Sequence, residues 1–397
     1  MRVAIVGIAP LRHTAVLGGT YSSSLAEALN ARGVRAELWT KKGDEPPAAV
    51  KAPVLQVWRS GFMAWLDILR AVQKYKPDVV HLQYYFFLFG NGVMSEVSTL
   101  LLAFAMMLLR TPFIVTLHDV PGKDQITQSY VAMHRYRYPA LLVRAGLAAL
   151  FAAFGKSANT LIVDSQLFAN RLSQYGVSRK KLVVIPHWLL PAQPRDRRDA
   201  RAQLDIPADS CVVLFFGYAT GYKGIDYLLD AFDILEKRSS PVRLVLGAGV
   251  HPKMGHTAEY QRYYSQLEMK AASLRAVRFA GFIHPDELGT YVAAADVGIL
   301  PYVEYHGASG PLYHYLGNDR PVLVSKAIAK NIPLLQTGAF EVDPRAIADL
   351  IERFSRDRAT SAAIEAESRS VREDNSSDTC FELTETIYAK AIARRKP

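Results

Sequence analysis

The chain has 397 residues and a formal net charge of +10, from 47 Lys and Arg against 37 Asp and Glu. Half of it is hydrophobic and 21% is charged, a folded composition that excludes disorder over most of the length and predicts two to three domains. The positive surplus favours anionic partners, phosphates or anionic lipid headgroups, without choosing between them.

The opening MRVAIVGIAP reads as a buried first strand, since it lacks a cationic stretch followed by a long apolar one. Short apolar runs then alternate with amphipathic ones. Strands are predicted at 3–6, 36–39, 79–82, 113–116, 160–163 and 183–185, and a helix at 21–32 that Gly33 closes. Helices at 93–110 and 139–154 are unusually apolar. The greasiest run, 99–109, falls well short of the ~20 residues that cross a bilayer, so a core or interfacial helix is expected there. Segment 191–210 is polar, charged and proline-bearing, which reads as a linker with room for one short helix.

A second series of the same kind follows. Its strands are predicted at 212–216, 243–246, 277–279, 297–300 and 322–324, and its helices at 225–237, 259–273, 285–294 and 344–353. A final helix at 377–394, ending in basic residues, is expected to pack back on the first domain. The fold class is α/β: two doubly wound, Rossmann-like domains, 1–190 and 211–376, facing across a cleft of the kind in which such proteins take ligands. Two cysteines so far apart, Cys211 and Cys380, make neither a disulfide framework nor a metal site.

Three segments carry chemistry. After the first strand come Gly18-Gly19-Thr20, expected in a loop that Thr20 closes as the cap of the next helix. The spacing is not the Gly-x-Gly-x-x-Gly of dinucleotide binding. In the second half the strand CVVLFFG enters the loop GYATGYKG and a helix begins at Ile225. There Lys223 adds a point charge to free backbone N–H groups, a cradle suited to a diphosphate, although no Walker loop is present. The strand at 297–300 leads to Tyr302, Glu304, Tyr305, His306, Gly307 and Ser309, then a helix opening with Gly310-Pro311, whose amides are expected to take a further phosphate. His118 follows the strand at 113–116, and His81, Gln83 and Tyr84 stand at the end of another, on the side expected to receive an acceptor.

These motifs, in this order, resemble the large retaining GT-B glycosyltransferase family that includes bacterial mannosyl- and glucosyltransferases. The matches are Gly18-Gly19, Asp78-Val79-Val80-His81, Thr116-Leu117-His118-Asp119, Ile185-Pro186-His187, Gly217 to Gly224, and Arg320-Pro321-Val322. The resemblance implies transfer of a hexosyl unit from a nucleotide-diphosphate sugar to an acceptor hydroxyl with retention. It assigns the diphosphate to Lys223, places His118 beside the reacting carbon, and requires no cofactor and no metal. Tyr218, Glu304, His306, Gly307, Ser309, Gly310 and His314 fall among the donor contacts. Tyr218 stands where the family has arginine, and His306 and His314 where it has two glutamates; an imidazole cannot hold a diol as a carboxylate does. Basic residues beside the apolar helices suit a glycan or lipid-linked acceptor and a cytoplasmic enzyme resting on the anionic inner face of a membrane. Nucleic acid is not expected. Two other readings stay open: a binding or scaffold protein that has lost catalysis, and another GT-B enzyme, a sugar-nucleotide epimerase or an inverting transferase.

Overall fold

Strand β1 (Arg2–Val6) is continuously apolar after Arg2 and is buried from Val3 onward, as a strand covered on both faces must be. The computed structural model describes the chain except residues 9–16, 45–49, 91, 134–137, 190–194, 253, 306–308 and 395–397, and the side chains of 17–20, 129, 132 and 133. It divides into two compact units, Met1–His187 with Asp378–Pro397, and Trp188–Ser377.

After β1, the first unit runs through α1 (Leu17–Ala31), β2 (Arg35–Lys41), β3 (Val54–Trp58), α2 (Ala64–Tyr75), β4 (Val79–Tyr84), α3 (Val93–Leu108), β5 (Phe113–Leu117), α4 (Gln128–Met133), α5 (Ala140–Ser157), β6 (Thr160–Val163), α6 (Gln166–Gln174) and β7 (Leu182–Val184). Its sheet is parallel, in the order β3-β2-β1-β4-β5-β6-β7. Helix α1 begins at Leu17, so Gly18 and Gly19 lie in its first turn and Thr20 is no cap, against the expected loop. Glycine is costly in a helix interior, but first-turn N–H groups have no helical partner to lose.

The second unit repeats the plan through α7 (Arg197–Gln203), β8 (Cys211–Tyr218), α8 (Ile225–Lys237), β9 (Val242–Gly249), α9 (Ala258–Ala272), β10 (Val277–Phe279), α10 (Pro285–Ala294), β11 (Val297–Leu300), α11 (Gly310–Gly317), β12 (Val322–Ser325), α12 (Lys326–Ala329), β13 (Ala339–Phe340), α13 (Pro344–Arg356) and α14 (Arg358–Asp374). Its sheet has the order β10-β9-β8-β11-β12-β13. Both units are therefore doubly wound, with the strand order reversing beside β1 and beside β8.

Two junctions differ from a plain chain of domains. The stretch read as a linker carries α7, whose Ala200 and Leu204 pack on Ala293 and Ala294 of α10. Buried Arg201 there donates to the Ala294 carbonyl (3.0 Å) and pairs with Asp296 (2.6 Å), so α7 is part of the second unit. The last helix, α15 (Ser377–Ala393), belongs almost wholly to the first unit. Arg32 holds Glu385 at 3.2 Å and Glu382 at 3.5 Å, and the Cys380 thiol reaches the Pro186 carbonyl.

Candidate functional site

In the second unit the crevice of a doubly wound sheet lies outside the carboxyl ends of β8 and β11, where the order reverses. The loop leaving β8 is shaped by two glycines with left-handed backbone, Gly217 at φ +139° and Gly224 at φ +67°. A Cβ on Gly224 would overlap the Pro301 carbonyl, so only glycine lets this loop lie against the end of β11. Val303 N–H donates to the Tyr222 carbonyl at 2.7 Å and ties the two loops together.

Lys223 closes a 3-10 turn (Gly221–Lys223) and folds back over β8. A Cβ on Gly217 would come within 2.6 Å of its Nζ. The side chain is 8% exposed, and among the described residues no carboxylate pairs with it; the Tyr302 ring lies 5.9 Å from Nζ. Burial pulls the ammonium down to about 8. A buried cation without a counter-charge is costly, and an arriving anion relieves that cost.

The start of α11 offers less than expected. Ser309 is the cap: its hydroxyl accepts from Leu312 N–H and lies 3.3 Å from the Tyr302 hydroxyl. Pro311 has no N–H to give. Of the first three positions, the Gly310 amide is the one left unengaged among the described residues, and the Ser309 hydroxyl serves as the helix cap. His314, half-buried on α11, lies edge-on to Phe216 at 5.8 Å, and burial lowers its pKa and favours the neutral ring. Glu304 is exposed, and His306 and Gly307 lie outside the described residues. Tyr218, in the position of the family arginine, stacks on Phe282 (6.0 Å, 13°) and meets His251 edge-on at 5.7 Å. What replaces the cation is an aromatic surface.

In the first unit, pairing of Tyr84 with Leu117 and Leu117 with Val163 sets the next residues, Tyr85, His118 and Asp164, in a row along the carboxyl edge. Tyr85 stacks flat on His118 at 4.1 Å, and Tyr21 of α1 lies edge-on to both His118 and His187. Burial lowers the His118 pKa, with His187 and His81 adding to it, so its ring is neutral. Burial also pushes Asp164 up to about 8, with the charge of Asp119 adding to the rise, and Asp119 itself up to about 6.

The expectation that His81, Gln83 and Tyr84 line an acceptor pocket is corrected by their burial and their partners. His81 Nδ1 lies 2.6 Å from the Tyr388 hydroxyl of α15, and its Nε2 lies 2.7 Å from Thr116 Oγ1 and 3.1 Å from Gln83 Nε2. Gln83 Oε1 in turn lies 2.8 Å from His118 Nε2. One proton placement satisfies the chain: Nδ1–H of His81 donates to Tyr388, Thr116 and Gln83 donate to its Nε2, and Nε2–H of His118 donates to Gln83. Nδ1 of His118 then carries a lone pair that meets no donor among the described residues. Tyr84 points away, donating its hydroxyl to Glu96 at 2.5 Å. His81 and Gln83 hold His118, with Thr116 of the Thr116-Leu117-His118-Asp119 match behind them; Tyr388 and Tyr85 were missed because nothing local marks them.

Comparison with known proteins bears on the family and the fold. Residues 18–188 match the model of the glycosyl transferase 4-like domain, and residues 210–357 that of glycosyl transferases group 1. The chain belongs to the GT-B glycosyltransferases. It is 28% identical over 314 residues to a D-inositol 3-phosphate glycosyltransferase of Acidothermus cellulolyticus, covering 71% of this chain and 64% of that one. A second such enzyme, from Nocardioides, is also 28% identical, over 53% of this chain and 50% of its own length. The chain thus spans less than two thirds of these relatives. Among solved structures, HepE of Anabaena in complex with UDP superposes with a TM-score of 0.71 at 18% identity, over 98% of this chain and all of the other. Sucrose-phosphate synthase of Thermosynechococcus elongatus gives 0.70 at 19%, over 99% of this chain and all of that one. At these identities the structures speak for the fold.

Proposed function

We propose that the protein is a glycosyltransferase that takes a hexosyl unit from a nucleotide-diphosphate sugar, with retention, to an acceptor hydroxyl. The observation that carries this reading is the buried ammonium of Lys223, without a carboxylate partner among the described residues, at the point where the strand order of the second unit reverses. A diphosphate supplies the missing charge. The Tyr218–Phe282 pair offers flat aromatic surface of the kind a nucleobase stacks on.

Bond cleavage leaves charge on the departing diphosphate. Lys223 and the Gly310 amide stabilise it from fixed positions. Each such donor is worth about 2.7–4 kcal/mol of barrier by analogy with an oxyanion-hole donor. His118 is held as a neutral ring by Gln83, His81 and Tyr388, with one lone pair free for the reacting sugar or its acceptor.

The acceptor in this reading is a glycan or lipid-linked glycan in polysaccharide or glycolipid synthesis, met by a cytoplasmic enzyme at the inner membrane face. Incubation with a panel of nucleotide sugars, followed by diphosphate release, tests the activity. No release from any donor removes catalysis, and an inverted anomer removes retention.

A further inference from the structure

The largest concentration of exposed apolar side chains on the first unit lies on α3 and α5. Phe104, Met107 and Leu108 project from α3, and Leu141 and Leu142 from α5; Leu108 is 87% exposed and Leu141 is 74% exposed. Between the helices runs a groove of about 290 Å³ whose walls include Glu96, Val97, Leu100, Tyr138, Leu142 and Leu147. The opposite faces of both helices are core, with Leu102 and Met106 of α3 packed among Phe151 and Phe154 of α5. Helix α5 is long and apolar enough to cross a membrane by length and composition, yet its inner side is committed to the sheet. Its outer side is what remains free.

The charges of this face are of one sign. Helix α2 lies beside α3, its Trp65 N–H donating to Ser98 Oγ at 3.1 Å. The one acid of α2, Asp67, is buried and paired with Arg59 at 2.9 Å. The one acid of α3, Glu96, is turned inward to Tyr84 and to the Phe87 amide. Helix α5 has none. Among the described residues, the charged side chains exposed on these helices and at their ends are Arg70, Lys74, Lys76, Arg110, Arg144 and Lys156, all cationic.

We infer that the α2–α3–α5 face docks on an anionic lipid bilayer, its apolar stripe entering the headgroup boundary and its cations meeting lipid phosphates. Exposed apolar side chains along two adjacent helices, with exposed cations and, among the described residues, no exposed acid on these helices, match both properties of that surface. A second copy of the chain fits poorly, because two-fold pairing would set like charges against one another. The inference rests on exposure and charge and is independent of Lys223; it deepens the proposed function by presenting the acceptor at the bilayer.

Co-flotation of the full chain with phosphatidylcholine vesicles, with and without phosphatidylglycerol, tests it. The expected result is binding to the anionic vesicles alone, weakened on the order of tenfold or more by Leu108→Glu with Leu141→Glu, and likewise by Arg70→Glu with Lys156→Glu. All four side chains are exposed, so both variants fold, and an unchanged thermal melt and near-UV circular dichroism of the full chain check this. Failure of the wild type to float, or equal flotation by either variant, overturns the docking surface. Loss of diphosphate binding by the wild type overturns the transferase reading instead.

Discussion

The ammonium of Lys223 occupies the space that a side chain at residue 217 would need: a Cβ built on Gly217 lies 2.6 Å from Nζ. Position 217 is therefore glycine for two reasons, the left-handed φ of +139° and the room for its neighbour's charge. Gly217→Ala should displace the ammonium and strain the turn by about 1–3 kcal/mol. The expected outcome is a modest loss of stability with a loss of nucleoside-diphosphate affinity on the order of tenfold. Calorimetric titration with UDP, GDP and ADP measures it; unchanged affinity would show that Nζ does not meet the ligand.

Lys223 titrates in an accessible window. Burial holds its folded pKa near 8, below the ordinary 10.5, so below about 8 the folded chain carries a cation that costs it stability. Between about 8 and 10.5 the unfolded chain binds more protons, and stability rises with pH. Diphosphate affinity should run the other way, falling as the pH passes through 8 and upward. Lys223→Arg should remove that fall, since guanidinium keeps its charge. Lys223→Met should raise neutral-pH stability, by at most roughly 3 kcal/mol, while abolishing binding. Binding and thermal melts across this window check both signs.

The support beneath His118 makes a separate prediction. Tyr388→Phe removes the partner of His81 Nδ1 inside a buried network, at a cost of about 1–3 kcal/mol. Turnover should fall while the KM for the donor stays unchanged, because the donor's diphosphate is held by the other unit. His81, pulled down to about 3 by burial, should show no ring-proton titration by NMR above pH 5 or so. A midpoint near the ordinary histidine value would break the proposed proton order.

Asp296 accepts from Val212 N–H at 2.7 Å and holds Arg197 and the buried Arg201. Asp296→Ala leaves Arg201 without its carboxylate and should cost about 3–5 kcal/mol. Urea unfolding of the variant should show this loss if α7 is part of the second unit. A neutral result would make α7 a free linker.

Much of the fold was legible because buried parallel strands are continuous apolar runs. Strand β6 and helices α8 and α10 coincide end to end with the residues their patterns mark. Strand β13, two residues long, gives no run to read, and α14 buries only Ile364, Ser368 and Val371 on an otherwise polar surface. The site divides the same way. Lys223 was visible from local chemistry, a cation in a glycine turn after a buried strand. The role of His81 was not, because the tyrosine that satisfies it lies 307 residues further along the chain. Ser309 adds a role that the reading of the loop did not name, since its hydroxyl caps α11 by accepting from Leu312 N–H.

The central claim is that the second unit binds a nucleoside diphosphate through Lys223. Calorimetric titration of UDP, GDP and ADP into the wild type and Lys223→Ala at neutral pH tests it most directly. The account predicts saturable binding of at least one nucleotide by the wild type, weakened by about 2–3 kcal/mol in the folded variant. Equal affinity in the two proteins, or no binding by the wild type, would contradict it.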